Sequence, residues 1–162
     1  MDYVDSCVFL SIAFEEGDAL ACKTFVNTRG YRQHPRGVVS HLVVSEIFVG
    51  ILEKVRLRDS LEEERVRLRA MQQLSWLFTT LLEDGRVRIA RFTRRALDLD
   101  LFDRLKALEY SLSDDDAFHL VAAVAEGCDR FVTKDRTLLK SERLQTFLKR
   151  HYGLSIIDVT RT

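Results

Sequence analysis

The sequence predicts an α/β protein: a three-layer α/β/α sandwich around a mostly parallel sheet, in one domain covering residues 1–162. Three observations predict it. Short apolar, strand-like runs alternate with helical patterns almost throughout, the signature of a parallel sheet covered on both faces. The length suits a single domain with a real core, and one proline, no low-complexity tract and no repeat leave no sign of a linker. Carboxylates recur at the starts of helices and just past strand ends. In a parallel sheet those places share the carboxyl-end edge, where ligands bind.

Each element follows from local pattern. Residues 2–10 read as a buried strand rich in Val, Phe, Tyr and Leu. A helix is expected from about Glu15 to Asn27, then a basic loop, Gly30 to Gly37, holding Tyr31, Arg32, His34, Pro35 and Arg36. Val38-Val39-Ser40 is a short strand and Val43 to Val55 a mostly apolar helix. From about Arg58 to Asp84 runs a long amphipathic helix, with Leu61, Leu68, Met71, Leu74, Phe78 and Leu81 at helical spacing and Glu63–Arg67 as an i,i+4 pair. Gly85 stops it. Val87 to Phe92 alternates as a strand, and Arg94 to Glu109 is helical. Ser113 opens a helix that Gly127 ends, Phe131-Val132-Thr133 is a strand, Arg136 to Arg150 is helical, and Leu154 to Val159 is the last strand.

Bulk composition excludes several classes. Lys+Arg and Asp+Glu are each 25, so net charge is zero and affinity for nucleic acid cannot rest on overall basicity, though a local basic groove is allowed. Cys7, Cys22 and Cys128 show no paired zinc or redox spacing and read as buried small hydrophobes. An odd cysteine count and no secretory pattern at the N-terminus fit a reducing cytoplasm. No apolar run is long enough to span a bilayer; Val38 to Leu52 is interrupted by Ser40, His41, Ser45 and Glu46.

The acids carry the chemistry. Asp116 completes Ser113-x-x-Asp116, a capping-box variant, yet three successive acids exceed what a helix start needs, and Asp116 leans toward the packed face. Asp135 is equally explained as the N-cap of the next helix, and Thr133 as a β-branched strand residue. Asp5 interrupts an apolar stretch, so it sits at a strand-end turn, in a buried salt bridge or at a metal. Glu46 is ringed by Val43, Val44, Ile47, Phe48, Val49, Ile51 and Leu52 and needs a cation, either an arginine or lysine or a metal. Taken jointly, carboxylate oxygens without Cys or His suit Mg²⁺ or Mn²⁺. Such ions activate water, and two of them roughly 3.5–4 Å apart clamp an in-line phosphodiester displacement.

Four stretches then resemble, in order, the motifs of PIN-domain nucleases, above all the VapC-type toxins of toxin–antitoxin pairs. They are Tyr3-Val4-Asp5-Ser6, Val44-Ser45-Glu46, Asp116-Ala117-Phe118-His119-Leu120-Val121-Ala122-Ala123 and Val132-Thr133-Lys134-Asp135. The likeness covers nearly the whole chain. It implies a metal-dependent endoribonuclease hydrolysing RNA phosphodiester bonds, with Asp5, Glu46, Asp116 and Asp135 as catalytic metal ligands for Mg²⁺ or Mn²⁺. Thr133 takes the position that orients water or substrate, and Asp114 stands one step further out. It also implies a small antitoxin partner and a homodimer. Lys134 departs from the family, which often has Asn there. The long helix looks extended against compact members.

His119, one turn after Asp116, reads as a packed or hydrogen-bonded histidine rather than a base; His34 and His41 are given no role. Candidate RNA contacts are Arg29, Arg32 and Arg36, then Lys134, Arg136 and Lys140, with Arg86, Arg88, Arg91, Arg94 and Arg95 as a denser basic cluster. The rival readings are a housekeeping nuclease of the same fold without an antitoxin, a domain that binds RNA or protein without cutting, and a phosphatase on an α/β scaffold.

Overall fold

The computed structural model describes residues 1–28, 37–56, 61–91 and 98–161. The elements run β1 (Asp2–Val4), α1 (Ser6–Ala13), α2 (Ala19–Thr28), β2 (Gly37–Val39), α3 (His41–Arg56), α4 (Leu61–Glu83) and β3 (Val87–Ile89). Then follow α5 (Leu99–Leu108), α6 (Asp114–Ala125), β4 (Arg130–Thr133), α7 (Arg136–Lys140), α8 (Glu142–Tyr152) and β5 (Ser155–Asp158), closed by a 3-10 turn, Val159–Arg161. The strand order is β3-β2-β1-β4-β5, and every pairing is parallel. With the right-handed crossovers general to parallel sheets, this order assigns α1 to α4 to one face and α5 to α8 to the other, in keeping with the packing of α1 on α2, α3 and α4 and of α5 on α6 and α8.

The chain leaves β1 in one direction through β2 to β3, and returns to β4 and β5 on the other side. β1 and β4 therefore flank the switch point, and the crevice beyond their carboxyl ends is where the topology opens a site. Tyr3 stacks on Phe131 across this pair, with ring centroids 5.2 Å apart. At the opposite ends of the same strands, Arg130 grips buried Asp2 with two bonds of 2.7 and 2.6 Å.

Three elements differ from the sequence expectation. The run read as a strand over 2–10 is a strand only to Val4; Asp5 then accepts the Ser6 amide at 2.7 Å and starts α1. α1 is walled in by the sheet and three helices, so Val8, Phe9 and Ile12 are all buried and no helical polar stripe marks it. The next helix starts late, at Ala19, after a turn in which Glu15 takes a positive φ of 51°. The helix expected over 136–150 is two helices. Ser141 adopts ψ 87° between them and its hydroxyl donates to Glu109 at 2.8 Å, so Leu138 and Leu144 can both reach the core. Gly85, at φ +65°, ends α4 as expected. The start of the long helix before Leu61, most of the basic loop, Phe92 and residues 94–97 lie outside the described residues, as does the Glu63 side chain.

Candidate metal centre

Asp5 stands at the end of β1, and its amide still bonds to the Val132 carbonyl at 3.0 Å. The residue is 4% exposed. Four donors hold its carboxylate. Oδ1 accepts from the Ser6 amide at 2.7 Å and the Ser6 hydroxyl at 3.4 Å; Oδ2 accepts from Thr133 Oγ1 at 2.6 Å and Cys7 Sγ at 3.0 Å. A side chain so fixed loses little entropy when it takes a ligand. Burial first, then the facing Asp5 carboxylate, hold the Cys7 thiol well above its ordinary pKa, so it stays a donor.

Thr133 is fully buried at the end of β4 and couples two acids. Its hydroxyl donates to Asp5 and accepts the Asp135 amide at 2.9 Å. Asp135 is the N-cap of α7, its Oδ1 accepting the Thr137 and Leu138 amides at 2.6 and 3.2 Å. Among the described residues its Oδ2 accepts no hydrogen bond. Asp116 is likewise a capping acid: Ser113 Oγ donates to Asp116 Oδ2 at 2.6 Å while accepting the Asp116 amide at 3.0 Å. Among the described residues, however, the ligand atoms within 4.8 Å of one another are those of Asp5, Glu46 and His119, and neither of these capping acids joins that group. Burial, and then the charges of Asp5 and Asp135, push the Asp116 carboxyl above its usual range.

Glu46 reaches in from α3, whose entry is capped by Ser40 through the Val43 amide at 3.1 Å. Among the described residues its partner is neither arginine nor lysine. His119 Nε2 lies 2.8 Å from Glu46 Oε1, and the imidazole is 1% exposed. Burial raises the Glu46 pKa, but the His119 and Ser6 side chains outweigh it and the net shift is downward; burial depresses His119, but Glu46 outweighs it and the net shift is upward. On its other side His119 Nδ1 meets Tyr3 Oη at 2.8 Å, and Tyr3 Oη donates to Ser40 Oγ at 2.8 Å. The expectation of a hydrogen-bonded histidine is met.

Ligand atoms of Asp5, Glu46 and His119 all lie within 4.8 Å of one another, and two carboxylates at such a separation repel by about 3–4 kcal/mol at an effective dielectric of about 20. Lys134 does not relieve this. Its ammonium turns to Glu16 at 2.6 Å and Asp18 at 2.8 Å. Asp114, with its side chain 73% exposed, pairs instead with Lys106 at 2.9 Å. Of the basic cluster, Arg86 pairs with Asp84 at 2.6 Å and Arg88 with Glu126, so both have structural partners. Arg29, Arg32, Arg36, Arg94 and Arg95 lie outside the described residues.

Sequence reasoning missed three contributors. Ser6, Tyr3 and Cys7 all support the acids. Cys7, read as a small hydrophobe, is a hydrogen-bonding thiol between Asp5 and Thr133. No spacing rule marks a lone thiol as polar, and only the fold brings Thr133 to it.

Comparison with known proteins gives a consistent picture. No curated protein matches the sequence significantly. Solved structures do match the fold. A chain of VapBC2 from Rickettsia felis, bound to a DNA fragment from their promoter, superposes with a TM-score of 0.59 at 16% identity, covering 98% of each chain. A chain of FitAcB from Neisseria gonorrhoeae gives 0.60 at 13% identity over 100% of both chains. One from FitAB bound to an IR36 DNA fragment gives 0.58 at 13%, over 99% of this chain and 96% of that one. The family model for the PIN domain matches residues 3–144. That match opens inside β1 and closes inside α8, taking in every acid of the cleft, and the chain belongs to the PIN-domain family.

Proposed function

We propose that this chain is a Mg²⁺- or Mn²⁺-dependent endoribonuclease, the toxin of a toxin–antitoxin pair. One observation carries the reading: ligand atoms of Asp5, Glu46 and His119 gather within 4.8 Å at the carboxyl-end switch point, Asp116 lies near enough to feel the charges of Asp5 and Asp135, and among the described residues the basic group at this gathering is an imidazole. The hard oxygen donors of Asp5, Glu46, Asp116 and Asp135 fit a small divalent cation. A divalent ion held there supplies Lewis acidity for activating water and for neutralising charge on a phosphoryl oxygen.

The protein's own share is positioning. Ser6, Cys7 and Thr133 fix the Asp5 carboxylate, and Thr133 ties it to the Asp135 turn, so the two acids cannot drift apart. The raised pKa of Asp116 makes it the acid of the cluster best suited to carry a proton before a cation arrives. Asp114, beyond Ser113, bears on the cleft through the field at the start of α6. A separate open groove of about 920 Å³ along β5, whose lining includes Arg136, Lys140 and Arg161, is basic enough to suit a phosphate backbone.

Partner binding is supported by the apolar surface of the α3–α4 pair. Phe48, Val49 and Leu52 on α3, and Leu68 and Trp76 on α4, are all more than half exposed. An antitoxin segment and a second copy of the chain are the proposed occupants of such surface. No described helix is long and apolar enough to cross a membrane.

The test is cleavage of structured and single-stranded RNAs with Mg²⁺ or Mn²⁺, wild type beside Asp5→Asn. Cuts that need the ion and vanish in the variant support the reading. Tight RNA binding without cleavage by an inhibitor-free, folded wild type would replace it with a binding role.

A further inference from the structure

We propose that His119 is itself a donor to the cation of this cleft, making the site a mixed carboxylate–imidazole centre that selects a first-row transition ion over Mg²⁺. The inference rests on the metal-centre reading above and adds a ligand to it. His119 is 1% exposed, and its Nε2 has no hydrogen-bond partner of acceptable geometry despite lying 2.8 Å from Glu46 Oε1. That is an unusual state for a buried ring nitrogen, since almost all such atoms are bonded.

The far side of the ring shows which form the imidazole takes. Tyr3 Oη directs its proton to Ser40 Oγ at 2.8 Å, so its oxygen is left to accept from His119 Nδ1, also at 2.8 Å. With the proton on Nδ1, Nε2 carries the lone pair and faces two carboxylates that are also acceptors. Three such acceptors within 4.8 Å need a positive charge among them, a proton on Nε2 while the ion is absent and the cation itself in the loaded site. A second-sphere bond on one nitrogen that fixes the tautomer and aims the other is the usual arrangement of a metal-ligating histidine.

The spacing agrees. Two adjacent donors in an octahedral shell, each about 2.1 Å from the ion, lie about 3 Å apart. Nε2 and Glu46 Oε1 are 2.8 Å apart, and their poor mutual angle suits two ligands side by side better than a hydrogen bond. Mg²⁺ favours oxygen and water, whereas imidazole nitrogen is a better donor to transition ions. The nitrogen therefore moves selectivity away from Mg²⁺ without changing the carboxylate set.

The experiment is pulsed EPR of the full chain loaded with Mn²⁺, prepared with natural and with ¹⁵N-labelled histidine. Affinities for Mn²⁺ alone and in competition with Mg²⁺ are measured alongside. The wild type should show histidine ¹⁴N modulation that changes on labelling. In His119→Gln it should vanish, with Mn²⁺ affinity down about 10-fold or more and Mg²⁺ affinity down less than about 3-fold. Because the labelled wild type answers the question by itself, the test survives a variant that fails to fold. Mn²⁺ bound in an Asp5-dependent way without histidine modulation would overturn the inference and leave the metal-centre reading intact. So would equal weakening of both ions in the variant, which is what mere positioning of Glu46 produces. Failure of the wild type to bind Mn²⁺ at all would overturn both.

Discussion

Thr133→Val isolates the hydroxyl that joins Asp5 to Asp135. Valine matches the shape of threonine, so the fully buried site gains no cavity, and what is lost is polar. One loss is the 2.6 Å bond to the Asp5 carboxylate, a bond to a charged group of the kind that contributes about 1.5–3 kcal/mol. The other is the acceptor for the Asp135 amide at 2.9 Å, and a stranded amide costs about 1–3 kcal/mol. The two share an atom and are not fully additive, so the expected destabilisation is about 2–4 kcal/mol. In a chain of this size that lowers Tm by roughly 5–15 °C. Thr133→Ser keeps the hydroxyl and removes one methyl, at about 1 kcal/mol. Urea and thermal unfolding with chelator present should rank the proteins wild type, Ser, Val. A valine variant as stable as the serine one would refute the claim that this hydroxyl organises the two acids.

Other perturbations follow from the same geometry. Asp116→Asn should raise the Tm of the chelated protein at neutral pH. The Asp116 carboxyl is held above its usual pKa, so ionising it costs stability that is regained as pH falls through that raised value, and the gain from Asn should fade on acidification; a neutral-pH loss instead would show the charge to be paired. Glu46 contributes stability present above its ordinary 4.5 and lost as pH falls through its lowered value; His119 contributes stability complete below its ordinary 6.5 and lost as pH rises through its raised value. Metal-free protein should therefore be most stable in the mildly acidic window between them, and an unaltered alkaline decline in His119→Gln would remove the pair as its cause. Lys134→Met should cost about 1–2 kcal/mol in urea unfolding, by removing the ammonium from Glu16 and Asp18, while leaving Mn²⁺ affinity within about 2-fold; a large loss of affinity would mean that Lys134 serves the cleft.

Two of the acids were legible because each broke a local rule. Glu46 sat where only apolar residues belonged, and Asp5 cut an apolar run. Asp116 and Asp135 were legible for the opposite reason: both are good caps, and a parallel sheet puts such caps on one edge. Parallel topology was readable from the alternation of elements. The extent of β1 was not, because a helix buried on all sides has no polar stripe and looks like a strand. Nor was the split between α7 and α8, which depends on Ser141 finding Glu109 from α5. The surroundings of His119 were out of reach as well. Its partners come from β1 and α3, 116 residues away in the case of Tyr3, and nothing local to α6 encodes them.

The most direct measurement is an anomalous difference map from a crystal grown with Mn²⁺. The account predicts a strong peak in the crevice beyond β1 and β4, bounded by Asp5, Glu46 and Asp116, with His119 Nε2 at bonding distance. Ordered manganese elsewhere, with none among these residues at saturating concentration, would contradict it.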